Sequence, residues 1–414
     1  MDDEVADELA KCAMSVDALG LSPWRPALAG VRVLGVGAAA HGARELLAMG
    51  RHLVEYAVED LGARVVVLGA SEAGATVVDE AVRGIGAPGE AVASLGGWEY
   101  DTREVVDLVS WLRDHNEMRP PADRVRVVGA DPVRGAASVK ALAAYLRATA
   151  PELLPDARES LAELLDRDPD ARAVPARVRD DVVGLHGRMV ADETGLVAQS
   201  SPDRYAEACR HARILARIAE VACAPRVPAP DGEAQAEALP SGSASVLRAR
   251  LVAEAVERAA DGVEGTPAVV FWGHDDQIRV GDPTTAGRYL RADLGEAYYA
   301  VAGLFGEGSA SAVRRRLLGA VRPRPTTNRL PRLPDSLESD LGTALGDDGE
   351  RLVDLRGAQD DGGPVARWAG APTTTRRLRS VVDSRQLRGR TPVVPDQEFD
   401  ALALVPRVHP AWIR

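Results

Sequence analysis

Cysteine is scarce in this chain. Cys12, Cys209 and Cys223 are the only three in 414 residues. None sits in a C-x-x-C or Cys/His ligand spacing, which leaves neither a disulfide framework nor a zinc site, so no metal is expected. Basic runs interleaved with aromatics are also missing. The net charge of −12 is spread along the sequence, which argues against a nucleic-acid partner. There is no apolar span of 18 residues, the least a membrane-crossing helix needs, and no membrane partner is expected. Residues 1–20 are acidic and lack the basic start and apolar core of a secretory signal, so the expected location is cytoplasmic. With 46% hydrophobic and 27% charged residues, the chain can bury a large core. No internal repeat is visible.

The periodicities that are present alternate. Val31 to Gly35 is a short β-branched run, and Leu46, Met49, Leu53, Ala57 and Leu61 then recur at helical spacing until Gly62. Arg64 to Leu68 contains three successive valines and suits a strand covered on both faces. Trp98 to Asn116 reads as a helix opened by Asp101-Thr102-x-Glu104, and Arg124 to Gly129 as the next strand. This predicts an α/β fold with a mostly parallel sheet flanked by helices. From Pro151 the pattern is almost wholly helical, as in Leu161, Leu164, Leu165, Ile214, Ile218 and Val221. A loop at 224–245 and one more helix, Val246 to Ala260, precede strand-like runs at Ala268 to Trp272, Tyr298 to Ala302 and Asp400 to Val405. The expected organisation is a first half of the core at 1–150, a helical insertion at 151–260 and a second half at 261–414. Val321 to Pro334, rich in Pro and Arg, reads as a surface connection or lid.

Gly35-Val36-Gly37-Ala38-Ala39-Ala40 fits G-x-G-x-x-A between a strand and a helix, the setting of a dinucleotide fingerprint. Such a unit needs an acidic residue at the end of its second strand to hold the ribose, and here that strand ends Leu68-Gly69-Ala70-Ser71. His41 follows at once, at a helix start whose dipole disfavours the imidazolium. No nucleotide cofactor is expected.

The same stretch, continued through His41-Gly42 and Ala43-Arg44-Glu45, resembles the erythromycin esterase signature L-G-E-x-x-H-G, with its glutamate replaced at Ala38. Val66 to Ser71 resembles the family's second strand, with a second glutamate replaced at Gly69. Trp98-Glu99-Tyr100-Asp101-Thr102, Trp111-Leu112-Arg113-x-x-Asn116 and Gly129-Ala130-Asp131 resemble successive blocks. Arg248-Ala249-Arg250 resembles its R-D-R. Phe271 to Gln277 resembles its W-x-H-N-x-H block, keeping His274 and ending in Gln277. Gly287-x-x-Leu290, Gly306-x-Gly308-Ser309, Asp354 to Gly357 and Phe399 to Leu402 extend the likeness over nearly the whole chain. The resemblance implies a metal-independent hydrolase. In it, a histidine at the position of His41 activates water to open a macrolactone in a cleft between core and insertion.

A histidine base works best with a carboxylate fixing its tautomer, and both family glutamates are replaced by the smallest residues. The expectation is a roomier, less negative cleft that takes a different small molecule. His41, His274 and Asp276 are the candidate catalytic groups, the last two as a relocated His/Asp pair. A turn or helix cap is the simpler account of Asp275 and Asp276, and His41 could be a packing histidine. Candidate ligand contacts are Ala38, Arg44, Arg51, Gly69, Glu72, Asp275, Gln277 and Arg248. Among these, Arg44 and Arg51 could hold an anion or pair with Glu45 and Glu55, and Glu72 could be a solvated first-turn glutamate. The chain is expected to be a repurposed tailoring enzyme (lyase, cyclase or hydrolase) acting on a natural product. The alternatives are a binding pseudoenzyme and an esterase with compensating acids.

Overall fold

A computed structural model describes residues 1–17, 20–165, 171–227, 237–314, 324–347, 349–382, 387 and 390–414. Its strands are β1 (Met14–Ser15), β2 (Val33–Val36), β3 (Val65–Ser71), β4 (Arg126–Asp131), β5 (Val269–Trp272), β6 (Tyr298–Arg314), β7 (Thr326–Leu330), β8 (Arg351–Asp354), β9 (Thr373–Thr375), β10 (Val381–Val382), β11 (Thr391–Val393) and β12 (Ala401–Val408). Ten of them form one sheet along the path β1-β8-β12-β6-β2-β5-β3-β4, with β7 and β10 added on β6. The six strands from β12 to β4 run parallel, as the alternation of strand and helix signals predicted.

The valine-rich strands are buried on both faces because helices cover both. Leu34, Val36, Val66, Leu68, Val270 and Trp272 pack into one layer with Leu46, Met49, Leu53 and Leu108. The intervening Val33, Val65, Val67, Val269 and Phe271 pack into the other with Val252, Val256 and Leu290. This is the period of two expected of a strand. A third cluster joins Val139, Leu142, Leu146, Leu161, Val182, Leu185, Leu215 and Ile218. The helical body therefore starts with the helix Ala136–Thr149, and the helix Ala244–Ala260 lies on the sheet. Both differ from boundaries at 151 and 260. Periodicity reveals that a helix has an apolar face but not which layer that face meets.

β6 runs twelve residues past Ala302, to Arg314. Its Gly306 to Ala312 portion is small and polar, with little intrinsic strand preference, and is held by antiparallel pairing of Gly308 to Ala312 with β7. The expected lid at 321–334 thus contains a strand, while 321–323 lie outside the described residues.

Register decides where the site forms. Gly35 stands opposite Phe271 and Ala300, and Leu68 opposite Trp272 and Gly129. The carboxyl ends of β2, β5, β3 and β4 are therefore level, and the segments leaving them share one edge of the sheet.

Candidate functional site

The segment leaving β2, Gly37 to Ala43, is buried throughout, and His41 is 8% exposed. The Gly42 carbonyl accepts hydrogen bonds from Ser311 N and Ala411 N, both at 2.9 Å. A Cβ on Gly42 would overlap the Ser311 carbonyl, so glycine is what lets β6 and the C-terminal segment clamp the backbone beside His41. The His41 ring touches two others. Its centroid lies 5.2 Å from that of His274 and 5.2 Å, edge-on, from that of Tyr100. Burial, and after it the charge of His274, lower the His41 pKa to about 3 against a backbone hydrogen bond at Gly273. His41 is a neutral imidazole at neutral pH.

His274 is held differently. Its Nδ1 lies 3.1 Å from the backbone N–H of Asp276 and its Nε2 3.1 Å from the Leu378 carbonyl. Those partners require Nε2 to carry the proton and Nδ1 to accept. His274 is thus the N-cap of the short helix Asp275–Ile278, and burial lowers its pKa despite the nearby Asp276. Gln277 completes a capping box by accepting from His274 N at 3.1 Å. Its Nε2 donates to the Gly69 carbonyl at 3.1 Å, which also accepts from Tyr100 OH at 2.7 Å.

Several expected site residues do other work. Asp276 Oδ2 is 3.8 Å from His274 Nδ1, whose lone pair is already engaged. The Asp276 carboxylate instead takes a hydrogen bond from Arg379 Nε at 2.9 Å. Burial would raise Asp276, but Arg379, His274, Arg377 and Arg279 outweigh it and hold the group well below the usual carboxylate range. It carries charge in an ion pair, not an exchangeable proton, so the structure does not build the His/Asp acid/base pair. Asp275 is fully buried, with Oδ1 accepting from Gly303 N at 3.2 Å and Oδ2 without a partner among the described residues. Burial pushes its pKa up to about 8, against the Gly303 hydrogen bond and Arg377.

The expected open space beside Gly69 is filled. A Cβ there would collide with the Gln277 carboxamide, and Ala38 is wholly buried. Arg51 pairs with Glu55 at 2.6 Å along its own helix. Arg44 lies 4.3 Å over the Trp412 ring and 4.0 Å from Glu104, within the clamp made by the C-terminal segment. Glu72 lies 3.2 Å from Arg217, and burial raises its pKa to about 7. Arg248 grips Asp131, at the end of β4, with two nitrogens. Sequence reasoning assigned no site role to Tyr100, Glu99, Arg134 or Arg379. The Arg376-Arg377-x-Arg379 run was a visible signal for the last. Nothing in the sequence placed it against Asp276.

A family model, erythromycin esterase, matches residues 58–408. The chain belongs to the erythromycin esterase family. The match opens within the helix Arg44–Glu59, downstream of His41. A Bacillus cereus protein shares the fold with a TM-score of 0.77 at 20% identity, over 100% of this chain and 99% of that one. A succinoglycan biosynthesis protein does so at 0.76 and 17%, over 99% and 98%. A mutant of erythromycin esterase EreC in its open conformation follows at 0.62 and 16%, over 95% of each chain. No curated protein matches the chain. Within this erythromycin esterase family member, no helix among the described residues is long and apolar enough to cross a membrane. Nor does any group of three or more His, Cys, Asp or Glu among them suit a metal ion.

Proposed function

We propose that this chain is a small-molecule enzyme of altered chemistry, a hydrolase, lyase or cyclase acting on a natural product or its precursor, with His41 as its proton-transfer group. The observation that carries the reading is the contact of His41 with His274 and Tyr100 at the level carboxyl ends of β2 and β5, where parallel α/β sheets bind ligands. With a pKa of about 3, His41 is unprotonated and able to accept a proton from water or a substrate hydroxyl. No side-chain carboxylate hydrogen-bonds to it among the described residues, so the imidazolium formed in the reaction has only backbone support, and base catalysis is correspondingly weak. His274 and Gln277 act as positioning residues, their polar atoms spent on the cap and on Gly69.

That same commitment of His274 and Gln277 to backbone favours a second reading, a binding protein that sequesters a small molecule. One experiment separates the two. Wild type and His41→Ala are incubated with a panel of esters and lactones, including 14-membered macrolides, with products followed by mass spectrometry and folding by thermal unfolding. Turnover lost in a folded His41→Ala variant supports the enzyme. Turnover that persists at the wild-type rate removes His41 from the mechanism, and ligand affinity without any turnover supports the binding protein. Macrolide opening is expected to be slow, because Ala38 and Gly69 supply no carboxylate to orient the base or water.

A further inference from the structure

Arg134 has φ 57, one of two non-glycine residues with positive φ among those described. A residue bearing a side chain is strained in this left-handed region, and such outliers cluster where a side chain is held for a purpose. Arg134 follows Asp131-Pro132-Val133 at the carboxyl end of β4, on the edge that carries His41. Its side chain has been given room: a Cβ on Gly96 would press on Arg134 Cδ, and one on Gly97 would press on the Glu99 carboxylate. Yet its guanidinium makes no ion pair within 4 Å among the described residues.

Its neighbours form a circuit. Arg134 and Arg248 both act electrostatically on Glu99, whose pKa is raised chiefly by burial. Arg248 acts on Tyr100 and on Arg379, Arg379 bonds Asp276, and Tyr100 touches His41, which touches His274. The Arg379 side chain is 59% exposed, with Asp276, Arg279 and Arg248 close enough to act on it. Asp131 and Asp276 answer Arg248 and Arg379, whereas no carboxylate among the described residues lies within ion-pair distance of Arg134.

We propose that this edge binds the oxyanion of its small-molecule ligand, a carboxylate or phosphate, with Arg134 as the principal contact and Arg379 and Arg248 as flanking cations. The planar guanidinium fork suits both groups. A strained backbone is retained where a ligand contact depends on it. The inference rests on the reading of this edge as the ligand site but not on His41 performing chemistry there.

The test uses four probes on the full chain: benzoate and phenyl phosphate, with benzamide and benzyl alcohol as uncharged counterparts, by ligand-observed NMR titration. The expected result is at least tenfold tighter binding of one or both anions than of the neutral probes, weakened by salt. Arg134→Gln should lose about tenfold, and Arg134→Lys less. Arg134→Gly should unfold at a temperature no lower than wild type, since glycine relieves the strain, while losing anion affinity as Arg134→Gln does. His41→Ala should bind the anions as wild type does, so loss of turnover there with retained anion binding leaves this proposal standing by itself. Equal affinity for charged and neutral probes overturns it, as does unchanged anion affinity in folded Arg134→Gln or Arg134→Gly.

Discussion

The carboxamide of Gln277 stands where a side chain on residue 69 would have to go, with Cδ 3.0 Å and Nε2 3.1 Å from the position of a Gly69 Cβ. A longer side chain at position 69 therefore has to displace the Gln277 carboxamide from its hydrogen bonds to His274 N and the Gly69 carbonyl. Gly69→Glu alone should lose about 1–3 kcal/mol through overpacking, and Gly69→Glu combined with Gln277→Ala should recover part of it. Thermal unfolding of the two single variants and the double variant gives the coupling directly. A Gly69→Glu protein as stable as wild type would show that the space is open after all.

His274 should prove more important to the cap than to titration. His274→Ala removes the acceptor for Asp276 N and one donor to the Leu378 carbonyl, a loss of roughly 1–2 kcal/mol. Asn is itself a good N-cap, so His274→Asn should lose less. If Ala and Asn lower the unfolding temperature equally, the capping account fails.

Asp275 makes stability depend on pH through the acidic and neutral range. Its folded pKa of about 8 lies above its ordinary value of 3.8. Between those values the folded chain holds a proton that the unfolded chain releases, so stability falls as pH rises through that window and the contribution is complete only below it. Asp275→Asn copies the neutral acid in shape. The variant should gain at least about 1 kcal/mol over wild type at pH 8, since a tenfold change in proton affinity is worth about 1.4 kcal/mol, and little at pH 4. Chemical denaturation at the two pH values measures the difference.

His41 works at the acid end. Its folded pKa, about 3, is below the ordinary 6.5, so the unfolded chain binds a proton first and stability declines as pH falls from about 6.5 toward 3. His41→Asn should flatten that limb relative to wild type. In any turnover assay, the wild-type pH profile should show no His41 titration between pH 5 and 8. A kinetic pKa near 6.5 that vanishes in His41→Asn would mean that the ring meets water freely in solution.

Trp412 lies under two cations, with Arg44 at 4.3 Å and Arg103 at 4.9 Å from its ring, and its backbone N–H donates to Glu104 Oε1 at 3.3 Å. The residue is 48% exposed, which keeps the stacking at the weaker end. Trp412→Ala should cost about 1 kcal/mol and raise amide hydrogen exchange at Ala43 and Arg44, whose backbone the same segment holds. Unchanged exchange at those amides would separate Trp412 from the clamp on the His41 segment.

The alternation of valine runs with helical periods determined the parallel α/β class from sequence, because burial on both faces leaves a continuous apolar strand whatever the details of packing. The quoted motifs located the segments leaving β2, β3, β4 and β5, and equal register along a parallel sheet then puts strand ends on one edge. His41, His274, Gly69 and Gln277 were legible as residues of that one edge for that reason. Tertiary structure decided what each polar atom does. Asp276 faces Arg379, 103 positions away in sequence, and so holds charge instead of exchanging a proton with His274. Gln277 reaches Gly69 across 208 positions and fills the space expected to open where the glutamates are lost. Arg44 is drawn onto the Trp412 ring by a C-terminal segment with no signal of its own. Local pattern sets which face of an element is apolar. The partner of a buried charge or amide is chosen by chain segments that meet only once the fold has closed, because desolvation makes an unpaired group costly and the nearest available partner takes it.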